Sequence, residues 1–169
     1  MTAINEKESP SFSGVIGHLA KANELLMIVL TVAMVSLVTY QVFERYVLHY
    51  TPPWSEELSV NLMIWFGMLA IAAGVRRGLH ISLHYFFDKM PKKVQSVLEI
   101  LKYLMILVYA SVVLWQGIVL VRLTMSQKSA AMDLPIGYVY LSLPVCAALI
   151  IIYTAEKLYR VLFVKAGAE

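Results

Sequence analysis

The sequence predicts an all-α integral membrane protein with four transmembrane helices, and three observations carry that prediction. Four apolar stretches fill most of the 169 residues. Each approaches the ~20 residues that a helix needs to cross a hydrocarbon core of about 30 Å. The lysines and arginines between them alternate in density from one loop to the next. The spans read as Leu25–Val47, Leu58–Gly74, Val97–Val121 and Ile136–Tyr153, the second and fourth being short. With 60% hydrophobic residues, little chain remains for a soluble domain, so residues 1–169 form one membrane domain.

Charge gives the orientation. Lys7 and Lys21 precede the first span, Arg76, Arg77, Lys89, Lys92 and Lys93 fill the middle loop, and Lys157, Arg160 and Lys165 follow the last. The alternate loops hold only Arg45, Arg122 and Lys128. Cytoplasmic loops collect lysine and arginine, which places both termini and the middle loop in the cytoplasm. The net charge of +3 then reflects topology, and no nucleic-acid partner is expected. The first apolar run is too long for a signal-peptide core, and Val42-Phe43-Glu44-Arg45 follows where small residues would mark cleavage. It reads as an uncleaved anchor. The lone Cys146 lies in the fourth span and excludes an intrachain disulfide.

The connections are informative in turn. Ser13–Glu24 suits a short inner-surface helix leading into the first span, and Glu44-Arg45 falls at the outer interface among headgroups and water. In the outer turn, Pro52 and Pro53 stop the first helix and Ser55 is a plausible cap for the second. Glu56 and Glu57 then fall in a first helical turn, where the dipole favours each by about 0.3–1 kcal/mol. Trp54 suits the headgroup zone as an anchor. A capped helix start explains this corner; the sharper reading is that its acidic face meets a partner. Within the second span Gly67, Ala70 and Gly74 make one side nearly smooth, and small faces drive helix association in lipid. Asn61, polar at membrane depth, should seek a helix partner.

The segment Arg76–Met90 reads as an interfacial cytoplasmic helix, with Leu79, Leu83, Phe86, Phe87 and Met90 on one side and Arg77, His80, His84 and Asp88 on another. Pro91 fits a first helical turn, which makes the third helix about 46 Å long, to Val121. Glu99 and Lys102 near its inner end are placed to pair or snorkel. Asp133-Leu134-Pro135 reads as an acidic cap for the fourth helix, and Pro144 inside that helix should kink it.

Chemistry is harder to find. His80 and His84 have metal-ligand spacing, but no glutamate stands between them and no third ligand is near, so no metal is expected. His18, His49, His80 and His84 lie at or beyond the interfaces, which argues against haem, and no other cofactor is implied. Ser36, Ser111 and Ser142 are isolated hydroxyls that suit bonding to their own helices. No nucleophile stands beside a base, so an enzyme is not expected. A carrier acting alone usually places an ionisable group near the bilayer midplane, whereas Glu24, Glu44, Glu56, Glu57, Glu99, Asp133 and Glu156 all fall near an edge. A scaffold or accessory membrane subunit remains.

Trp54-Ser55-Glu56-Glu57-Leu58, then Trp65-Phe66-Gly67, then Gly74-Val75-Arg76-Arg77-Gly78-Leu79-His80-Ile81 resembles the small membrane (Q-type) subunit of tripartite ATP-independent periplasmic (TRAP) transporters. Leu134-Pro135-Ile136-Gly137-Tyr138 and Tyr140-Leu141-Ser142-Leu143-Pro144 are similar to that family's fourth helix, and the likeness covers Glu24 to Tyr159. His84 stands where many relatives carry an acidic residue.

The resemblance implies a non-catalytic small permease subunit in the bacterial inner membrane. Its partners would be a large membrane subunit, which moves substrate with sodium by an elevator motion, and a periplasmic substrate-binding protein that docks transiently. Membrane lipids would surround it. The cargo would be an organic acid of the C4-dicarboxylate or sialic acid type, and this subunit would act as scaffold or stator. Candidate partner-interface residues are Trp54, Glu56, Glu57, Asn61, Trp65, Gly67, Ala70, Gly74, Arg76 and His80. The alternatives are a self-contained ion-coupled carrier or channel acting as an oligomer, and a membrane anchor for a redox enzyme.

Overall fold

Apolar runs of this length satisfy their own backbone groups only as helices, and the computed structural model, which describes residues 13–78, 92–159 and 161, is helical accordingly. Helix α1 spans Ser13–Phe43 and continues into a π-helical turn, Glu44–Leu48. Helix α2 spans Pro53–Arg77, α3 Lys92–Thr124, α4 Gly137–Tyr140 and α5 Ser142–Tyr159. Among the described residues there is no strand, only an isolated bridge between Lys128 and Pro135. Among the described residues four helices, with α4 and α5 sharing the last, are long and apolar enough to cross a membrane.

Packing follows a row rather than a closed bundle. The main contacts run from α1 to α2, from α2 to α5, and from α5 to α3. The densest core gathers where α2, α3 and α5 meet the start of α1, around Ala72, Val75, Ala110, Cys146, Ile150 and Tyr153 with Ile16 and Ala20. At the far side of the row, none of the most apolar 18-residue stretch of α1 is buried.

The α1–α2 contact is a seam with alternating steps of three and four. Ile16, Ala20, Asn23, Met27, Leu30, Met34, Leu37, Gln41 and Glu44 are the buried or half-buried residues that trace it, while Leu25, Ile28, Val29, Val32 and Val35 stay exposed. Asn23 Nδ2 donates to the Leu69 carbonyl at 3.3 Å, and Gln41 Nε2 donates to the Ser55 carbonyl and to Ser59 Oγ at 2.7 Å. These bonds hold the antiparallel register near both ends.

The structure corrects several local expectations. The inner helix at Ser13–Glu24 is not separate from the first span; α1 runs through both. The first helix ends not at the prolines but at His49, whose φ of 52° breaks the helical hand. Pro53 is then the first residue of α2, where its missing N–H costs nothing, so the second span is 25 residues long and not short. Ser55 is not the cap: Pro52 holds that position, and Ser55, fully buried, donates its hydroxyl back to the Pro52 carbonyl at 2.9 Å. Glu44 is not solvated; it is only 4% exposed.

In the turn before the fourth span, Asp133 caps no helix. It adopts φ 57° in a tight loop, 3.5 Å from Lys128 Nζ, and α4 starts four residues beyond it, at Gly137, without a side-chain cap. Pro144 interrupts the fourth helix as expected: the helix divides at Leu141, one turn before the proline, where Pro144 offers no N–H to the Tyr140 carbonyl. Helix α3 is ~50 Å long at 1.5 Å per residue, longer than a hydrocarbon core. Ser111 and Ser142 bond back to Leu107 and Val139. The interfacial segment from Leu79 onward, with Pro91, lies outside the described residues.

Candidate partner interface

Helix α2 carries most of the candidate residues, because it lies inside the row with α1 on one side and α5 on the other. Leu69, Ala72, Ala73 and Val75 are buried against these neighbours. Val60, Met63, Ile64 and Ile71 are exposed, spaced as one helical stripe. Gly67 belongs to that stripe, and a Cβ built on it would meet nothing within 4 Å. It makes a notch in an apolar face that this chain leaves open. Ala70, Gly74, Asn61 and Trp65 are half-buried beside it. Asn61 makes no side-chain hydrogen bond among the described residues; within the α1–α2 seam it is Asn23 and Gln41 that bond across, with the Glu24–Arg77 pair at one end.

At the start of α2 the candidates separate. Trp54 and Glu56 are exposed. Glu57 instead accepts the backbone N–H of Ala131 at 3.0 Å, tying the start of α2 to the loop between α3 and α4. That loop is closed by Ser129 N–H to the Leu134 carbonyl at 2.8 Å and Ile136 N–H to the Gln127 carbonyl at 2.9 Å. Glu57 is therefore a strut of the fold.

The opposite end of α2 gathers charge. Arg77 donates to Glu24 at 3.0 Å, and Arg76 lies 5.9 Å from the ring centre of the buried Tyr153. The Val75 carbonyl accepts both Gly78 N–H, at 3.2 Å, and Lys157 Nζ, at 3.1 Å. Gly78 ends the helix with φ 70°, a left-handed turn that favours glycine. Helices α1, α2 and α5 are thus clasped at this end. His80 lies outside the described residues.

Sequence reasoning missed the contact that joins α3 to α5. A Cβ on Gly117 would lie 3.1 Å from Pro144 Cδ, so the two backbones meet with nothing between them. The signal was present: a glycine in the middle of one long apolar run and a proline in another.

A family model described as "Tripartite ATP-independent periplasmic transporters, DctQ component" matches residues 34–164. The chain belongs to the DctQ family of TRAP transporters. It is thereby a TRAP small permease protein and a multi-pass membrane protein. The match takes in α2, the α2–α5 part of the clasp, the Gly117–Pro144 contact and the α1 seam from Met34 onward.

Curated DctQ-like relatives agree. The chain is 29% identical to the isethionate TRAP transporter permease protein DctMQ of Oleidesulfovibrio alaskensis, over 94% of its own length and 27% of that protein's. It is 22% identical to the sialic acid TRAP transporter small permease protein SiaQ of Vibrio cholerae, covering 86% of the chain and 84% of the relative. It is 24% identical to a putative TRAP transporter small permease protein of Haemophilus influenzae, covering 93% and 97%.

Proposed function

We propose that the chain is the non-catalytic scaffold subunit of a sodium-coupled, binding-protein-dependent TRAP transporter for an organic acid. It sits in the bacterial inner membrane with both termini cytoplasmic, beside a large elevator-type membrane subunit. One observation carries this reading: α1 is braced along a single seam, leaving Leu25, Ile28, Val29, Val32 and Val35 of its most apolar stretch exposed, and α2 presents an open stripe notched at Gly67. Such faces gain little by packing on more leucine in lipid, but close packing at a small residue holds helices together. Two sets of fixed helices bracing a moving domain resist its tilt, which is what a stator must do.

The relatives support this in two ways. The chain corresponds to about a quarter of the isethionate permease, which supports a working unit with a larger membrane part. Isethionate and sialic acid, named for two relatives, are both small organic anions, which supports an anionic cargo of the sialic acid or C4-dicarboxylate kind without choosing one. The exposed Trp54 and Glu56 are the proposed contribution to docking the binding protein.

The test is purification of the tagged chain in mild detergent from a membrane co-expressing its neighbouring genes, followed by native mass spectrometry and reconstituted uptake. A stable complex with one large polytopic protein that takes up an organic acid in a sodium gradient is expected. A lone monomer or homooligomer that catalyses flux by itself overturns the reading.

A further inference from the structure

Between α1 and α2, at the end where Arg77 meets Glu24, runs an open groove of about 360 Å³. That volume lies within the ~300–1,000 Å³ of small-molecule clefts. Met27, Ile28 and Val32 of α1 and Phe66 of α2 make its walls. Thr31 lines it too, but donates its hydroxyl to the Met27 carbonyl at 2.8 Å. The groove is therefore apolar along its length and charged at one end. From Glu24 to Val32 it extends ~12 Å along the helix axis, at 1.5 Å per residue.

The charged end favours an anion. The Arg77 side chain is 63% exposed and gives Nη2 to Glu24, leaving further N–H donors of its guanidinium. Lys21 is exposed and stands at i, i+3 and i+7 from Glu24 and Ile28, on the same face of α1. Two cations against one carboxylate leave a positive excess at the mouth. A protein helix laid into this groove would bury the Arg77–Glu24 pair away from water, at a desolvation cost that close geometry rarely recovers. A lipid leaves those charges in the headgroup zone. Basic pockets between membrane helices bind lipid headgroups in this way.

We infer that the groove holds one anionic phospholipid, its phosphate at Arg77 and Lys21 and an acyl chain along Met27, Ile28, Val32 and Phe66. The site stands whichever leaflet it faces and does not depend on the transport reading.

The full chain is reconstituted in nanodiscs of equal parts phosphatidylglycerol and phosphatidylethanolamine, released into mild detergent and weighed by native mass spectrometry. One retained phospholipid is expected, phosphatidylglycerol exceeding phosphatidylethanolamine by about fivefold, the ratio one excess cation near a headgroup contributes. Arg77→Gln and Lys21→Gln should each bring that ratio towards parity, the latter leaving the Glu24–Arg77 pair in place. Arg77→Lys should keep the preference, and Val32→Trp, on an exposed position, should lower retention of both lipids. Equal retention by the unaltered chain, or a ratio unmoved in both glutamine variants, overturns the site. So does a photo-crosslink from Val32 that captures a protein instead of lipid.

Discussion

Gly117 on α3 and Pro144 on α5 touch backbone to ring, with room for no side chain between them. A Cβ there would also stand 3.4 Å from the Leu143 Cβ, so the surroundings have little slack. Gly117→Leu should therefore destabilise the chain by about 1–3 kcal/mol, the usual range for overpacking. Thermal unfolding of the purified chain in detergent checks this, and an unchanged midpoint would show that α3 shifts without cost.

Gly67 predicts the opposite pattern. With nothing within 4 Å of its Cβ position, Gly67→Leu should leave the unfolding of the isolated chain unchanged. If that notch receives a helix of the large subunit, the same variant should lower recovery of the assembled complex. Full recovery and uptake would remove Gly67 from the interface.

The two acidic residues at the start of α2 should behave differently. Glu57→Ala removes the acceptor of the Ala131 N–H, so hydrogen exchange at Ala131 should accelerate. Glu56→Ala should leave that amide protected. Equal exchange in both variants would deny Glu57 its role as a strut.

The α1–α2 seam depends on its polar ends unequally. Gln41→Leu deletes two interhelical bonds and should cost about 0.6–1.7 kcal/mol, the range for such bonds in membranes. Asn23→Leu deletes one longer bond and also removes a buried oxygen, Oδ1, that has no partner among the described residues. Its cost should be smaller, and unfolding of the two variants side by side measures the difference.

Orientation has its own test. In a Cys146→Ser background, Asp133→Cys should react with a membrane-impermeant maleimide added outside cells, because Asp133 is exposed in the proposed outer loop. Labelling only after the membrane is opened would invert the topology.

The number of spans was legible because a bilayer imposes length and hydropathy on every helix that crosses it. Their ends were less so. Glu56 and Glu57 pushed the expected start of the second span inward to Leu58, although Pro53 already begins the helix and one of the two carboxylates is tied to Ala131. Glu44 looked solvated because charge usually is, yet a π-helical turn at the end of α1 turns it into the protein. The smooth face of α2 was legible as small residues, but which neighbour it meets depends on the order of helices in the row. The α1 seam needed only its three-and-four spacing to be seen, and its polar members at Asn23 and Gln41 obscured it.

The row also separates the chain in time. Helices α1 and α2 share their seam across the four residues between Leu48 and Pro53, and α3 meets α4 and α5 across the closed loop between Thr124 and Gly137. Contacts between sequence neighbours form soonest. A ribosome would thus deliver two hairpins, and the docking of α2 on α5, which joins Cys146 Sγ to the Met68 carbonyl at 2.9 Å and Lys157 Nζ to the Val75 carbonyl at 3.1 Å, follows them. The clasp of arginine, tyrosine and lysine closes after both hairpins, because Lys157 stands at the end of α5 and its acceptor, the Val75 carbonyl, at the end of α2.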